Sequence, residues 1–335
     1  GAGVALPQTS MSEEDRKERG IRDRLLEINK IAATYYYRQL RSENGKAGLD
    51  YLKKRELSDS TINSFGLGYA TQSTGNLYKL LKDKGYDDDI LKESGLFTYE
   101  RGIHEKFWNR VIFPIMDINN KVIGFGGRVM GDAKPKYLNS PETRLFDKSR
   151  NLYGLNIART SRKPNMIICE GYMDVISMHQ AGFNQAVASL GTALTPGHAR
   201  LLKRYTDNVL ITYDSDEAGV KAALRAIPIL KEAGLSTKVI NMRPYKDPDE
   251  FIKAMGAEAF QERIDNAENS FMFEIRILEQ QYDMKDPESK SAFYHEVAKK
   301  LCSFTEKIER DIYIQAVAEK YMLPTQDLQR IVGKY

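Results

Sequence analysis

The stretch from Met166 to Gly219 reads MIICEGYMDVISMHQAGFNQAVASLGTALTPGHARLLKRYTDNVLITYDSDEAG. Short apolar runs (MIIC, QAVASL, NVLITY) alternate in it with helical segments (DVISMHQAGF, TPGHARLLKRY), and the pattern continues through AGVKAALRAIPILKEAG and STKVINM. Such alternation predicts right-handed strand-helix-strand units and a parallel sheet. Side chains leaving the carboxyl ends of parallel strands gather on one edge, where ligands bind. Three acidic groups stand at or just beyond such ends: Glu170 after MIIC, Asp214 and Asp216 after VLITY, and Asp247 with Asp249 after STKVINM. If the chain stays extended at YDSD, Asp214 and Asp216 point to one face.

Carboxylates converging on one edge repel each other, and a hard divalent cation resolves the conflict. An oxygen-only set with neither His nor Cys selects Mg²⁺ or Mn²⁺ over zinc, and water and substrate phosphates complete the shell. The chemistry such an ion suits is phosphoryl or nucleotidyl transfer. Each residue also has a plainer explanation. Asp247-Pro248-Asp249-Glu250 is a good helix start with Asp247 as N-cap; Asp216 can open the following helix, and Asp174 falls in the first turn of its own. The joint occurrence at successive strand ends favours the metal site.

On the amino-terminal side, RVIFPIMD, Asn119-Asn120 and KVIGFGGRVM read as a β-hairpin. From Ser12 to about Glu100 the pattern is helical, with Leu25, Ile28, Ala32 and Tyr36 on one face, a cap at Ser58 and a stop at Gly85. Beyond about Asn266 only helical signals remain, with Asp286-Pro287 opening one helix and Pro324 separating the last two. The glycines of GFGGR fit neither GxGxxG nor a Walker loop; they serve a close nucleic-acid approach or a bulge. Trp108 and Tyr35 to Tyr37 fit core packing better than base stacking.

The 335 residues carry a formal net charge of only +4, yet Thr98 to Lys163 holds 13 Lys and Arg against 6 Asp and Glu. A basic segment of that kind suits phosphates. The two cysteines, Cys169 and Cys302, form no CxxC, and the four histidines are isolated, so neither a disulfide framework nor a zinc site is expected. No apolar run suits a membrane span, so a soluble cytoplasmic protein with no membrane partner is expected. Residues 1–11 read as a disordered cloning scar.

EGYMDVISMHQAG, ASLGTAL and YDSDEAGVKAA resemble the Toprim domain. AGLDYLKKRELSDSTINSFGLGYA, RVIFPIMDINNKVIGFGGRV, PKYLNSPETRLFDKSRNLYG and YKDPDEF narrow the resemblance to the catalytic core of bacterial DNA primases, from about Ser12 to Asp265 and more loosely beyond. It implies an α/β chain, α+β overall. A mixed α/β subdomain (12–147) precedes a Toprim subdomain (148–265) with a Rossmann-like parallel sheet and helices on both faces, and a small helical bundle (266–335) follows.

By the same resemblance Glu170, Asp214 and Asp216 are the catalytic metal-binding residues, expected to hold two or more ions, with Asp174, Asp247 and Asp249 as further acidic positions near the metals. Asp249 ranks above Asp247 because capping explains Asp247 better. Arg110, Arg128, Lys136, Asn139 and Lys148 would bind template and nucleotide. The implied partners are single-stranded DNA, ribonucleoside triphosphates and the RNA–DNA hybrid product, at the replication fork of the bacterial nucleoid. The family's zinc-binding module is expected to be absent, and the terminal bundle reads as too short for the helicase-interaction domain, placing the replicative helicase contact outside this chain. The rival readings are a Toprim strand-cleaving topoisomerase or nuclease, and a noncatalytic nucleic-acid-binding scaffold.

Overall fold

The computed structural model describes Gly3 and residues 12–335; the expectation of a disordered leader over residues 1–11 lies, apart from Gly3, outside the described residues. Helix α1 (Glu13–Leu40) is capped by Ser12 and buries Leu25, Ile28, Ala32 and Tyr36, the stripe that its periodicity marks. Short helices α2 (Lys46–Lys54) and α3 (Asp59–Ser64) follow, and the Ser58 side chain accepts the Thr61 N–H to open α3. Strand β1 (Gly68–Ala70), helices α4 (Asn76–Asp83) and α5 (Asp88–Glu93), and strands β2 (Phe97–Thr98) and β3 (His104–Glu105) complete this part. The segment is therefore not wholly helical. Two- and three-residue strands are too short to show a period and exist through their partners.

Strands β4 (Arg110–Met116) and β5 (Val122–Val129) form the expected hairpin, and β6 (Tyr137–Asn139) extends it to give an antiparallel sheet ordered β1-β4-β5-β6. Asp117 accepts N–H bonds from Asn119 and Lys121 in the turn, each at 2.9 Å. The register shifts between Ile115 and Met116, which leaves Ile123 without a partner. The glycines beside that bulge serve packing. A Cβ on Gly124 would press on Phe146, one on Gly126 would lie 2.5 Å from the Tyr172 ring, and one on Gly127 would meet Phe107.

After helix α6 (Leu155–Ala158), strand β7 (Met166–Cys169), helix α7 (Tyr172–Gln180), strand β8 (Ala186–Ala188), helix α8 (Pro196–Lys203), strand β9 (Asn208–Ile211), helix α9 (Glu217–Glu232) and strand β10 (Ser236–Val239) alternate as the sequence predicts. Helices α10 (Pro248–Met255) and α11 (Ala257–Asp265) follow, then a short strand β11 (Glu268–Asn269). The sheet order is β11-β10-β9-β7-β8, parallel except for β11, an edge strand that the helical reading of this region missed. Alternate side chains separate to the two faces. Ile167, Cys169 and Leu210 join the core with α7, α10 and α11, while Met166, Ile168, Val209 and Ile211 join α8 and α9.

Residues of the antiparallel sheet such as Val111, Phe113 and Ile115 enter the same core as Tyr172, Met173 and Ile176 of α7. One hydrophobic core thus spans both sheets and fixes the edge of one against the other. Helices α12 (Ser270–Glu279), α13 (Pro287–Leu301), α14 (Lys307–Lys320) and α15 (Thr325–Val332) form the terminal bundle around Phe271, Phe293, Val297 and Leu328. Asp286 caps α13 and Pro324 stands at the start of α15, as read from the sequence.

Candidate active site

Strand β7 ends at Cys169, so Glu170 leaves the carboxyl edge of the sheet, and β9 delivers Asp214 beside it. The Asp214 N–H donates to Glu170 Oε1 at 2.9 Å. Asp216 is exposed and its Oδ1 accepts the Gly219 N–H at 2.8 Å, capping α9. Gly219 is required there, because a Cβ would lie 1.9 Å from the Asp214 carbonyl oxygen. The Ser215 N–H donates to the Lys246 carbonyl, which ties the DSD turn to the loop carrying Asp247.

The electrostatics record the crowding. Burial, then Glu170 and Asp247, push the Asp214 carboxyl up to about 7, and Lys246 Nζ, 3.9 Å from Asp214 Oδ2, relieves only part of it. Glu170 is raised by burial and then by Asp216 and Asp247, against the Asp214 N–H and Lys246. Asp174, at the start of α7, is held well above the carboxylate range by burial and by Asp247, Asp214 and Asp249. Among the described residues no three acidic, histidine or cysteine side chains close into a metal cage. The carboxylates form an open rim. An open, all-oxygen rim in which burial and neighbouring carboxylates raise Asp214, Glu170 and Asp174 together fits a divalent cation that keeps water and takes substrate oxygens.

The two aspartates of the DPD turn separate. Asp247 caps α10 by accepting the Glu250 N–H at 2.8 Å and still acts on Asp174, Asp214 and Glu170. Asp249 is only 7% exposed, and it is engaged by Arg55 at 3.0 Å, by Lys253 at 3.1 Å and by the Ser177 hydroxyl. The two aspartates thus differ in surroundings: Asp247 caps α10 beside the rim, whereas Asp249 is enclosed by Arg55 and Lys253.

The basic candidates separate as well. Arg110 is 6% exposed and donates through Nη1 to the carbonyls of Gly127 and Lys136, at 3.2 and 3.3 Å, so it braces the sheet. Arg128 is half-buried with its guanidinium 4.8 Å from the Tyr51 ring centre, while Lys136 is exposed. Asn139 accepts the Tyr172 hydroxyl and touches the loop at Gly191, where a Cβ would lie 2.3 Å from its Nδ2. Lys148 sits in a 3-10 turn whose carbonyl meets His198 Nε2 at 2.6 Å. A cleft of about 420 Å³ lies beside Glu170, bounded by Gly191, Thr192, Tyr213 and Arg225. Trp108 departs from the core-packing expectation: it is 45% exposed, with Nε1 donating to the Gln72 carbonyl. Tyr36 is buried as expected.

Comparison with known proteins bears on this arrangement. The family described as DNA primase catalytic core, N-terminal domain, matches residues 35–159, and Toprim-like matches 167–252. A solved DnaG primase catalytic domain bound to ssDNA is 33% identical, with a TM-score of 0.80 over 92% of this chain and 99% of that one. The chain belongs to the DnaG primase family. A DNA primase of Clostridium acetobutylicum is 43% identical to this primase-family chain over 313 residues, 93% of this chain and 52% of that protein. The chain spans about half the length of the curated relatives it matches. The RNA polymerase domain of Mycobacterium tuberculosis primase DnaG, in complex with double-stranded DNA, is 31% identical with a TM-score of 0.81, covering 89% and 98% of the two chains.

The same comparisons correct the reading of the terminal bundle. The DnaB-helicase binding domain of primase matches residues 271–326, so a helicase-binding region of the family falls within this primase-family chain. Length alone misjudged it, because α12 to α15 form a core of their own around Phe293 and Val297.

Proposed function

We propose that the chain is the RNA-polymerizing core of a bacterial replicative primase, which makes short RNA primers on single-stranded DNA from ribonucleoside triphosphates. The observation that carries this reading is the acidic rim of Glu170, Asp174, Asp214 and Asp247 gathered at the carboxyl edge of one sheet, while the antiparallel sheet that carries Arg128 shares its core. Glu170, Asp214, Asp216 and Asp247 would hold divalent ions, Mg²⁺ or Mn²⁺ and two or more in number, with Asp174 behind them. Such ions, when bound, supply charge for the phosphates and a lower pKa for the attacking 3′ hydroxyl.

The protein's own residues orient the reactants. Lys136 and Arg128 would track the template backbone, and Asn139 and Lys148, at opposite ends of the Gly191 loop region, would hold the triphosphate near the cleft beside Glu170. The α-phosphate is attacked by the hydroxyl of the preceding ribonucleotide and pyrophosphate leaves, so no side chain need act as a covalent nucleophile. The RNA–DNA hybrid would leave along the basic face. The bundle of α12 to α15 would contact the replicative helicase, which suits a cytoplasmic enzyme at the nucleoid's replication fork.

Incorporation of radiolabelled ribonucleotides on a single-stranded template, wild type against Glu170→Gln, tests the reading. Loss of incorporation with DNA binding retained supports it. Full incorporation by the variant, or relaxation of supercoiled DNA without nucleotides by the wild type, overturns it.

A further inference from the structure

The turn between α2 and α3 is fastened to the Toprim unit at two points. Gln180, at the end of α7, donates through Nε2 to the Glu56 carbonyl at 2.9 Å and accepts the Ser58 N–H through Oε1 at 2.8 Å. One residue before Glu56, Arg55 donates through Nη2 to Asp249 Oδ2 at 3.0 Å, across 194 positions of sequence. Both Asp249 oxygens are engaged. Ser177 of α7 donates to Oδ1, and Lys253, one turn along α10, stands 3.1 Å away.

The pair has a neighbour on each side. Arg55 Nη1 donates to the Tyr51 hydroxyl at 3.0 Å, and the Tyr51 ring lies 4.8 Å from the guanidinium of Arg128 on β5. On the other side, the backbone N–H of Asp249 faces the Asp174 carboxyl, and Asp247 begins the same helical turn. A continuous line of contacts therefore joins the hairpin sheet to the acidic rim through one partly buried ion pair. A carboxylate enclosed by two cations at 7% exposure would have to shed them to meet a metal ion, and the cations would oppose that ion.

We propose that Asp249 is a positioning residue whose ion pair with Arg55 fixes the Asp247 turn, and with it the acidic rim, against the strand that carries Arg128. This rests on the polymerase reading above for its effect on rate, though not for its effect on structure. Removing either partner frees the α10 start to shift, and small displacements at a reacting centre cost rate steeply. Because each partner acts only through the other, their losses overlap.

The experiment compares Asp249→Asn, Arg55→Met, the double variant and Arg55→Lys with the wild type. It measures ribonucleotide incorporation against Mg²⁺ concentration, Mn²⁺ binding to the protein alone by electron paramagnetic resonance, and hydrogen exchange in the first turn of α10. Both single variants are expected to lose maximal rate by about 10-fold or more. The double variant should fall within ~3-fold of the worse single, and Mn²⁺ affinity should stay within ~3-fold of wild type. Arg55→Lys should recover part of the rate, and α10 should exchange faster in both single variants.

Weaker Mn²⁺ binding by about 10-fold in Asp249→Asn but not in Arg55→Met would make Asp249 a ligand and overturn the proposal. Multiplicative losses, or unchanged exchange in α10, would overturn it too. Should the singles not fold, Arg55→Lys and Asp249→Glu carry the same comparison. A wild type that binds Mn²⁺ yet incorporates nothing would sink the polymerase reading alone, and the exchange data would still decide the ion pair.

Discussion

The Asp214 N–H donates to Glu170 Oε1 at 2.9 Å, joining the carboxyl ends of two neighbouring parallel strands. It brings two carboxylates together where burial already disfavours charge, and Asp214 is pushed up to about 7 from its ordinary 3.8. The folded protein therefore holds this proton through a pH range in which the unfolded chain has lost it. The associated stability is full below the ordinary value and is lost as pH rises through about 7. In chelator, thermal unfolding should occur at lower temperature at ~pH 8 than at ~pH 5. Asp214→Asn should raise the ~pH 8 stability by about 1 to 2 kcal/mol and blunt the gain on adding Mg²⁺. Calorimetry of both proteins with and without metal checks this; equal pH slopes would refute it.

Tyr172 lies flat on Phe113, with ring centres 5.0 Å apart and planes at 9°, and its far edge fills the space over Gly126. Gly126→Ala puts a methyl 2.5 Å from that ring. It should destabilise by about 1 to 3 kcal/mol and displace Asn139, which accepts the Tyr172 hydroxyl. Adding Tyr172→Leu should recover part of the stability and none of the Asn139 contact. Denaturant midpoints and nucleotide affinity of the three proteins give the comparison.

Arg110 and Lys136 both belong to the basic segment, yet one is buried against carbonyls and the other is exposed. Arg110→Ala should cost about 1.5 to 3 kcal/mol of stability and leave the salt dependence of DNA binding nearly unchanged. Lys136→Ala should do the reverse, lowering the logarithmic salt slope on single strands by about 0.7. Binding isotherms over a range of salt, with unfolding curves, separate the two; a shared phenotype would refute the division.

His198 Nδ1 accepts the Thr195 N–H at 3.0 Å, so its proton resides on Nε2 and is donated to the Lys148 carbonyl at 2.6 Å. Burial keeps the ring neutral by lowering its pKa from 6.5. This contribution is complete above 6.5 and disappears as pH falls through the lowered value. His198→Gln should cost about 1 to 2 kcal/mol at ~pH 8 and less at ~pH 5, with weaker triphosphate binding through the Lys148 turn. Unfolding and nucleotide titrations at both pH values test it.

Much of the fold was legible because burial has a period. The alternation in MIIC and VLIT assigns alternate side chains to opposite sheet faces, and the α1 stripe marks the face that the helix buries. The short strands β1, β6 and β11 were not legible, since two or three residues carry no period and depend on a distant partner. The roles within a motif were equally hidden: Asp247 and Asp249 differ by two positions, and no local rule says which faces Arg55.

By itself the sequence determined the order of strands and helices from Met166 to Val239, the placing of Glu170, Asp214 and Asp216 at or beyond strand ends, and the separation of basic and acidic segments. These follow from nearest-neighbour chemistry and periodicity, which a chain carries unfolded. Only the tertiary structure decided that Arg110 braces a sheet, that Gly126 makes room for Tyr172, and that Arg55 and Asp249 meet across 194 positions. Those outcomes depend on which surfaces the shared core presses together, and burial energy that is blind to direction leaves no mark of that choice in either segment alone.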